Sequence, residues 1–515
     1  MHSGILESYV KFKLDGSRVV VKHSSKRSAP NQQKVGMTDS RSGASRVLVP
    51  ALSLTVMVVA LLQTVVVPVL AQIGDALDAS ASAVGWTVTV TLLAAAVFTP
   101  LLSRIGDLYG RRRVLIGILL VVAAGSLLAA VTTSLLWLLV GRILQGASFG
   151  LFPLSIGILR HALPAYKLTS AMAIVSGTLG IGGGIGLVLT GLLTRDGGDY
   201  HRIFWLSLMA SLIALLLVVM TVPKHRPDRA GRIDWLGGFL LGASLVLLLL
   251  PLSQGHQWGW SGPSTLGCFA GSALVLALWL MVERRLRDPL VPLVLMSNRP
   301  FMTTNLAGLF IGFGMFVTFL GISGFVQTPA GVGYGFSASV IEASCIYLLP
   351  AALVGVITAP IGGRLVRLYG GRTTLIIAAL IGLSGFLLMA MLHSQSWHII
   401  VGGSLANGAV SMGYAALPAL IVAEVSPGET GIANGVNSIA RSIGSALGSA
   451  LVITLLSSNL LATGVPHESA YTAVFLIGAA SMICSAFIVA VGLPKAKAVR
   501  LPSTELAFVH ARITP

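Results

Sequence analysis

From residue 47 onward the chain alternates between apolar runs of about twenty uncharged residues and short polar or basic breaks. At about 1.5 Å of rise per residue, a helix of that length crosses a hydrocarbon core of about 30 Å. Fourteen such runs can be counted, at approximately 47–71, 84–103, 114–133, 135–159, 170–194, 203–222, 235–252, 263–282, 301–326, 340–361, 375–393, 397–422, 431–456 and 470–493. The period-2 alternation of a membrane barrel is missing, and segments such as Val246 to Leu250 are apolar on every face. Helices must therefore satisfy the backbone. The pattern predicts an all-α membrane protein with fourteen transmembrane helices.

Composition agrees, since 55% of the 515 residues are apolar and 10% are charged, against about 25% charged in a soluble domain. Mean hydropathy is +0.88. A net charge of +17 would suggest nucleic acid if it were scattered, but it is not. Breaks after odd-numbered spans hold only Arg195 and Arg202, those after even-numbered spans hold seventeen Lys and Arg, and the two tails hold nine and four. Lys and Arg near span ends favour the cytoplasmic side, which places both tails in the cytoplasm of a multi-pass plasma-membrane protein. The charge reports topology, and no nucleic-acid partner is expected.

The eight tryptophans (Trp86, Trp137, Trp205, Trp235, Trp258, Trp260, Trp279, Trp397) fall at or near span ends, at the headgroup level that indole prefers. Cys268, Cys345 and Cys484 are odd in number and lie in or beside apolar spans, which fits packing rather than a disulfide or metal framework. The first span starts too late and runs too long for a cleaved signal. The basic, Ser-rich tail 1–46 is expected to be disordered, and Met37 is a plausible natural start.

One short sequence is written twice. RIGDLYGRRRVL at 104–115 returns as RLVRLYGGRTTL at 364–375, and each copy joins the second span of a six-span set to the third. This divides the chain into a six-helix bundle at 47–222, an inserted helix pair at 235–283, a second bundle at 301–493 and a tail at 494–515. Paired halves are how many transporters build a central site with alternating access.

Three segments then resemble the major facilitator superfamily, and within it the fourteen-helix drug:proton antiporters. SRIGDLYGRRRVL (103–115) is similar to the first cytoplasmic signature at Asp107, Gly110, Arg111 and Arg112, with Ser103 and Leu108 departing from it. LLWLLVGRILQGASFG (135–150) resembles the fourth-helix signature through Arg142, Gln145 and Gly146. SGTLGIGGGIGLVLTG (176–191) resembles the Gly-rich fifth-helix antiporter signature, with Val188 where its proline would stand. The resemblance implies two bundles rocking around a cavity and efflux of amphipathic, apolar or cationic compounds coupled to protons.

In the first basic turn Gly110 can take positive φ, and Asp107 can pair with Arg111 or Arg112 or face a helix amino terminus of the other half, latching one closure. The alternative is that these arginines only set topology. In the second copy Arg364, Arg367, Gly370 and Arg372 repeat the basic turn, but Arg367 stands in the aspartate's place. Gly180, Gly182, Gly183, Gly184 and Gly186 let another helix approach closely, whether as a flexible element between halves or as simple small-residue packing.

Polar residues inside spans are costly without a partner or water. Arg142 in span 4 and Gln63 in span 1 lie at similar depth, which suggests that the Gln63 carbonyl accepts a hydrogen bond from the Arg142 guanidinium. Arg441 in span 13, with Asn434 and Asn437 on preceding turns, should face the interior, as an anchor or as a substrate contact. Asn407 and Asn305 are further cavity candidates. Proton coupling needs a titratable group; Glu342 at the outer start of span 10 is the candidate, against the plainer reading of an exposed helix-start carboxylate.

No H-E-x-x-H, G-x-S-x-G or Walker-type motif occurs, so no enzyme, ATP or cofactor is expected. The reading is a monomeric exporter of lipophilic small molecules in the bilayer. The alternatives are a transport-deficient sensor or scaffold of the same fold, or an uptake transporter.

Overall fold

The computed structural model describes residues 40–494 apart from 67, 68, 80, 195–198, 225–232, 287, 288, 292, 459 and 463. The expectations for the amino-terminal tail, Met37, Arg195 and the carboxy-terminal tail lie outside the described residues. The first nine long helices are α1 Ser40–Thr64, α2 Ala81–Tyr109, α3 Arg111–Val131, α4 Leu135–Ala162, α5 Ala165–Leu193, α6 His201–Thr221, α7 Trp235–Trp258, α8 Pro263–Glu283 and α9 Arg299–Gln327. The last three are α12 Ser396–Ala423, α13 Thr430–Ser458 and α14 Glu468–Gly492. Between them lies Ala343–Met391, a 49-residue run. Laid straight it would be about 74 Å long, more than twice a hydrocarbon core of about 30 Å. It breaks at Gly370, whose φ of 81° and ψ of 160° are not helical. The run therefore supplies two crossings, α10 (343–369) and α11 (371–391). Thirteen apolar helices among the described residues thus make fourteen spans, and no strand is present among those residues.

Two boundaries differ from the hydropathy reading for physical reasons. The first span does not run to residue 71: α1 ends at Thr64, ahead of Pro68, and a short helix, Leu70–Ala76, follows. The basic turns are also much tighter than the ten or so residues expected. α2 and α10 continue as helix to Tyr109 and Tyr369, so each turn reduces to one glycine, Gly110 at φ 102° and Gly370 at φ 81°. Only glycine takes such angles without strain. Pro100 and Pro360 lie inside the two helices, each ten residues before its glycine. The duplicated turn is therefore one copied piece of backbone geometry.

Separate apolar cores hold the two halves. One is built from α1, α3, α4, α5 and α6 through residues such as Leu52, Leu115, Phe152, Met172 and Ala214. The other comes from α9 to α14 through Phe325, Phe386, Met389, Ile399, Val452 and Phe475. The α7/α8 pair packs through Leu245, Leu249 and Trp279 against Ala96 of α2 and Ile432 of α13. Trp279 is thus buried rather than placed at a headgroup surface. Large apolar side chains including Met220, Phe239 and Leu274 remain exposed on the outside, as a hydrocarbon solvent requires.

The halves meet along α2 with α13 and along α5 with α10 and α12. Glycines decide how closely. A Cβ added at Gly184 of α5 would come within 2.6 Å of the Ala352 Cβ of α10.

Candidate functional site

A cavity of about 190 Å³ lies between the halves. It is lined by four helices of the first half (α1, α2, α4, α5) and four of the second (α9, α10, α12, α13). Its wall is mostly apolar and aromatic, with Phe149, Phe152, Phe316, Phe319 and Tyr414, and its polar groups include Gln63, Asn407, Arg142 and Arg441. No Asp, Glu or His is among the described lining residues. At its end remote from the basic turn, α10 widens into a π turn at Ala343–Leu348, and Leu348 faces the cavity. Such turns interrupt regular helix where a site needs an irregular wall.

Arg142 is almost fully buried and ties three helices together. Its Nε donates to the Thr87 carbonyl of α2 at 3.0 Å, and one terminal nitrogen donates to the Leu62 carbonyl of α1 at 3.1 Å and to Gln145 Oε1 at 2.7 Å. Gln145 Nε2 donates in turn to Ser126 Oγ at 2.9 Å. The expected Gln63 carbonyl is not the acceptor. The depths match, since the neighbouring residue's backbone oxygen is used, but the Gln63 side chain lines the cavity instead.

Arg441 is held from two sides. The rings of Phe152 and Tyr414 lie over its guanidinium at 4.7 and 4.8 Å, one from each half. Its terminal nitrogens donate to Asn437 Oδ1 at 2.8 Å and Ser438 Oγ at 3.1 Å. Asn437 Nδ2 donates to Asn305 Oδ1 at 3.2 Å, and Asn305 Nδ2 to the Phe301 carbonyl at 2.9 Å.

At the end of the bundle that carries the basic turns, Asp107 bridges the halves. Its Oδ1 accepts from Arg111 at 2.8 to 2.9 Å, and its Oδ2 accepts the Ile432 N–H of the first turn of α13 at 3.2 Å. A helix amino terminus favours an anion at this place. A second strut, Arg160 of α4, donates to Thr430 Oγ1 at 2.6 Å and to the Val425 and Ser426 carbonyls at 2.8 and 3.2 Å. In the second copy Arg367 and Gly371 replace the Asp107–Arg111 pair, and Arg364 and Arg367 are exposed. What both copies keep is a cap on a helix carboxyl end: Arg112 donates to the Val219 carbonyl of α6 at 2.8 Å, and Arg372 to the Ala490 carbonyl of α14 at 2.7 Å.

A family model described as the Major Facilitator Superfamily matches residues 52–354 and 313–515. The chain belongs to the Major Facilitator Superfamily. The chain is 28% identical over 424 residues to the tetracenomycin C resistance and export protein of Streptomyces glaucescens, covering 80% of this chain and 76% of that protein. It is 26% identical over 362 residues to the multidrug transporter protein MdtP of Bacillus subtilis, covering 69% and 65%. The crystal structure of the human organic anion transporter MFSD10 shares the fold, with a TM-score of 0.61 at 17% identity over 86% of this chain and 99% of that one.

Within this superfamily member the sequence-derived candidates fall into three groups. Gln63, Arg142, Asn407 and Arg441 line the cavity. Gln145 and Asn305 are buried behind it, each holding an arginine's hydrogen-bond chain. Glu342 is neither: it sits exposed before α10, where its Oε2 accepts the Ser339 N–H and hydroxyl, both at 2.8 Å. Those bonds hold its carboxyl below the ordinary glutamate range, the reverse of what a proton carrier near neutral pH requires.

The helix-5 glycines are sorted over three faces. Gly180, Gly183 and Gly184 line the cavity, Gly182 and Gly186 let α1 approach, and Gly184 also meets α10. The aromatic sandwich on Arg441 and the Arg160 strut had no signal in the sequence, because both join the two halves. Asp234 and Glu283 at the base of α7/α8 were also missed. Their Oδ2 and Oε2 atoms are buried, face the same point over Gly237 and find no donor among the described residues.

Proposed function

We propose that the protein is a secondary transporter that exports lipophilic small molecules by alternating access. The two six-helix bundles, 47–222 and 301–493, rock around the cavity, with the pair at 235–283 flanking the α2/α13 seam. The basic end with both tails faces the cytoplasm, protons are the coupling ion, and one chain is the working unit. The observation that carries the reading is a cavity shared equally by both halves and closed at its basic end by contacts that cross from one half to the other. Such contacts can break without disturbing either core. The names of the matched relatives, resistance, export and multidrug transporter proteins, support export as the direction.

A second reading has one observation in its favour. With no titratable acid among the described lining residues, the cavity could bind ligand without proton-driven turnover, as a sensor or scaffold would. Everted membrane vesicles separate the two. Accumulation of a lipophilic fluorophore that collapses when the pH gradient is dissipated supports proton-driven export, and binding without accumulation supports the sensor.

A further inference from the structure

The part of the functional reading that the cavity does not support is a preference for cations. Two guanidiniums reach the cavity, and no carboxylate lies among its described lining residues to balance them. A buried charge in a membrane protein is stable only with partners or water. Arg142 has its partners in three helices, and its hydrogen bonds hold α1 and α2 to α4. Arg441 is different. Among the described residues its acceptors are two neutral oxygens, of Asn437 and Ser438, while a guanidinium carries five N–H donors. Among those residues its charge is otherwise met only by the faces of Phe152 and Tyr414.

Those same faces would be the natural seat for a cationic guest. They are already occupied by a side chain of the protein, so a lipophilic cation would meet an unbalanced positive charge and engaged rings. An anion finds the converse: a guanidinium with free donor capacity, aromatic walls for its apolar body and no competing carboxylate. We propose that this cavity selects lipophilic aromatic anions (carboxylates, sulfonates or phenolates) and that Arg441 is the residue that binds their charge. This rests on the reading of the cavity as the transported substrate's site and names the chemistry of that substrate. The volume sets the size. About 190 Å³ in this conformation compares with the roughly 150 Å³ that encloses a benzene-sized molecule, so a one-ring anion fits as the cavity stands and a two-ring anion fits with modest opening of the bundle.

The test uses two probes of the same shape and opposite permanent charge, naphthalene-2-sulfonate and 2-naphthyltrimethylammonium. Each is titrated calorimetrically into the full-length protein in phosphatidylcholine nanodiscs, whose lipid carries no net charge. The sulfonate is expected to bind at least about tenfold more tightly. Arg441→Gln should bring the two within about threefold of each other. Should that variant fail to fold, Ser442→Asp, which adds a carboxylate to the wall and leaves Arg441 in place, offsets one unit of charge and should likewise bring the two probes within about threefold of each other. Equal or inverted affinities in the parent protein overturn the proposal. A folded Arg441→Gln protein that keeps the preference overturns the assignment to Arg441, as does a full tenfold preference retained in folded Ser442→Asp. Flux of either probe in vesicles reports separately: sulfonate preference with no flux removes the transport reading and leaves the charge preference standing, whereas flux without preference does the reverse.

Discussion

Asp107 on α2 accepts the backbone N–H of Ile432 on α13 at 3.2 Å while Arg111 holds its other oxygen at 2.8 Å. One carboxylate therefore joins the two halves, through a bond that opening of the basic end would break. Hydrogen bonds to a charged group contribute about 1.5 to 3 kcal/mol. Losing that contribution shifts a two-state equilibrium about tenfold to a hundredfold. Asp107→Asn keeps the shape and removes the charge, so the closed population should fall. The measurement is the distance between spin labels on the basic ends of α4 and α12, with probe binding as control. Longer distances and slower transport with unchanged binding are expected; an unmoved distance distribution would leave Asp107 as a topological flank only.

The duplicated glycines make a separate prediction about stability. At φ 102° and 81°, Gly110 and Gly370 occupy backbone that costs a side chain about 1 to 3 kcal/mol. Gly110→Ala and Gly370→Ala should each lower the thermal unfolding midpoint. Neither should alter the relative affinity for sulfonate and ammonium probes, because neither residue lines the cavity. A midpoint unchanged in both variants would show that the turns relax freely.

Topology is open to direct labelling. Ser261 and Ser426 are both exposed, at opposite ends of the bundle. As single cysteines, Ser261→Cys should react with an impermeant maleimide added outside intact cells, and Ser426→Cys only after permeabilisation. The inverse pattern would reverse the orientation assigned to the basic end.

How much of this was legible in the sequence follows from what a uniformly apolar helix can say. Depth accumulates at a fixed rise per residue, so the spans, the two halves and the matching depth of Gln63 and Arg142 could all be counted. Azimuth needs a polar face, and helices apolar all round have none. The partner of Arg142 was therefore placed on Gln63 when it is Gln145, one turn along its own helix. The glycine run could not be divided among its three neighbours for the same reason. Asp107 was readable because an acid among arginines has few partners to choose from, and a helix amino terminus was one of those considered. Arg160 gave no such sign, since basic residues are expected at that membrane edge.

Glu283 and Asp234 bring two buried carboxyl oxygens toward one point, with no donor between them among the described residues. Glu283 Oε1 meanwhile accepts the Val291 N–H at 2.7 Å. Glu283→Gln keeps that acceptor and offers an amide donor to Asp234. It should raise the unfolding midpoint by a few degrees, about the effect of 1 kcal/mol. A lower midpoint would show that the two oxygens gain nothing from an amide donor at this place.

Gln63 offers the sharpest test of the cavity's charge. It lines the wall on α1, next to the Leu62 carbonyl that Arg142 engages. Gln63→Glu adds the one titratable acid to a lining whose described residues include no Asp, Glu or His. When that carboxyl is protonated, the wall keeps its positive character and sulfonate binding should match the parent. As pH rises and it ionises, it offsets part of the guanidinium charge, so sulfonate affinity should fall, by about tenfold across the titration, while ammonium affinity climbs. The parent protein should show neither trend. Calorimetry with both probes between pH 5 and 8 reads the sign directly. If sulfonate affinity strengthens with pH in Gln63→Glu, or stays flat while the variant is folded, the new carboxylate is not sharing the cavity with Arg441, and the placement of Gln63 on its wall fails.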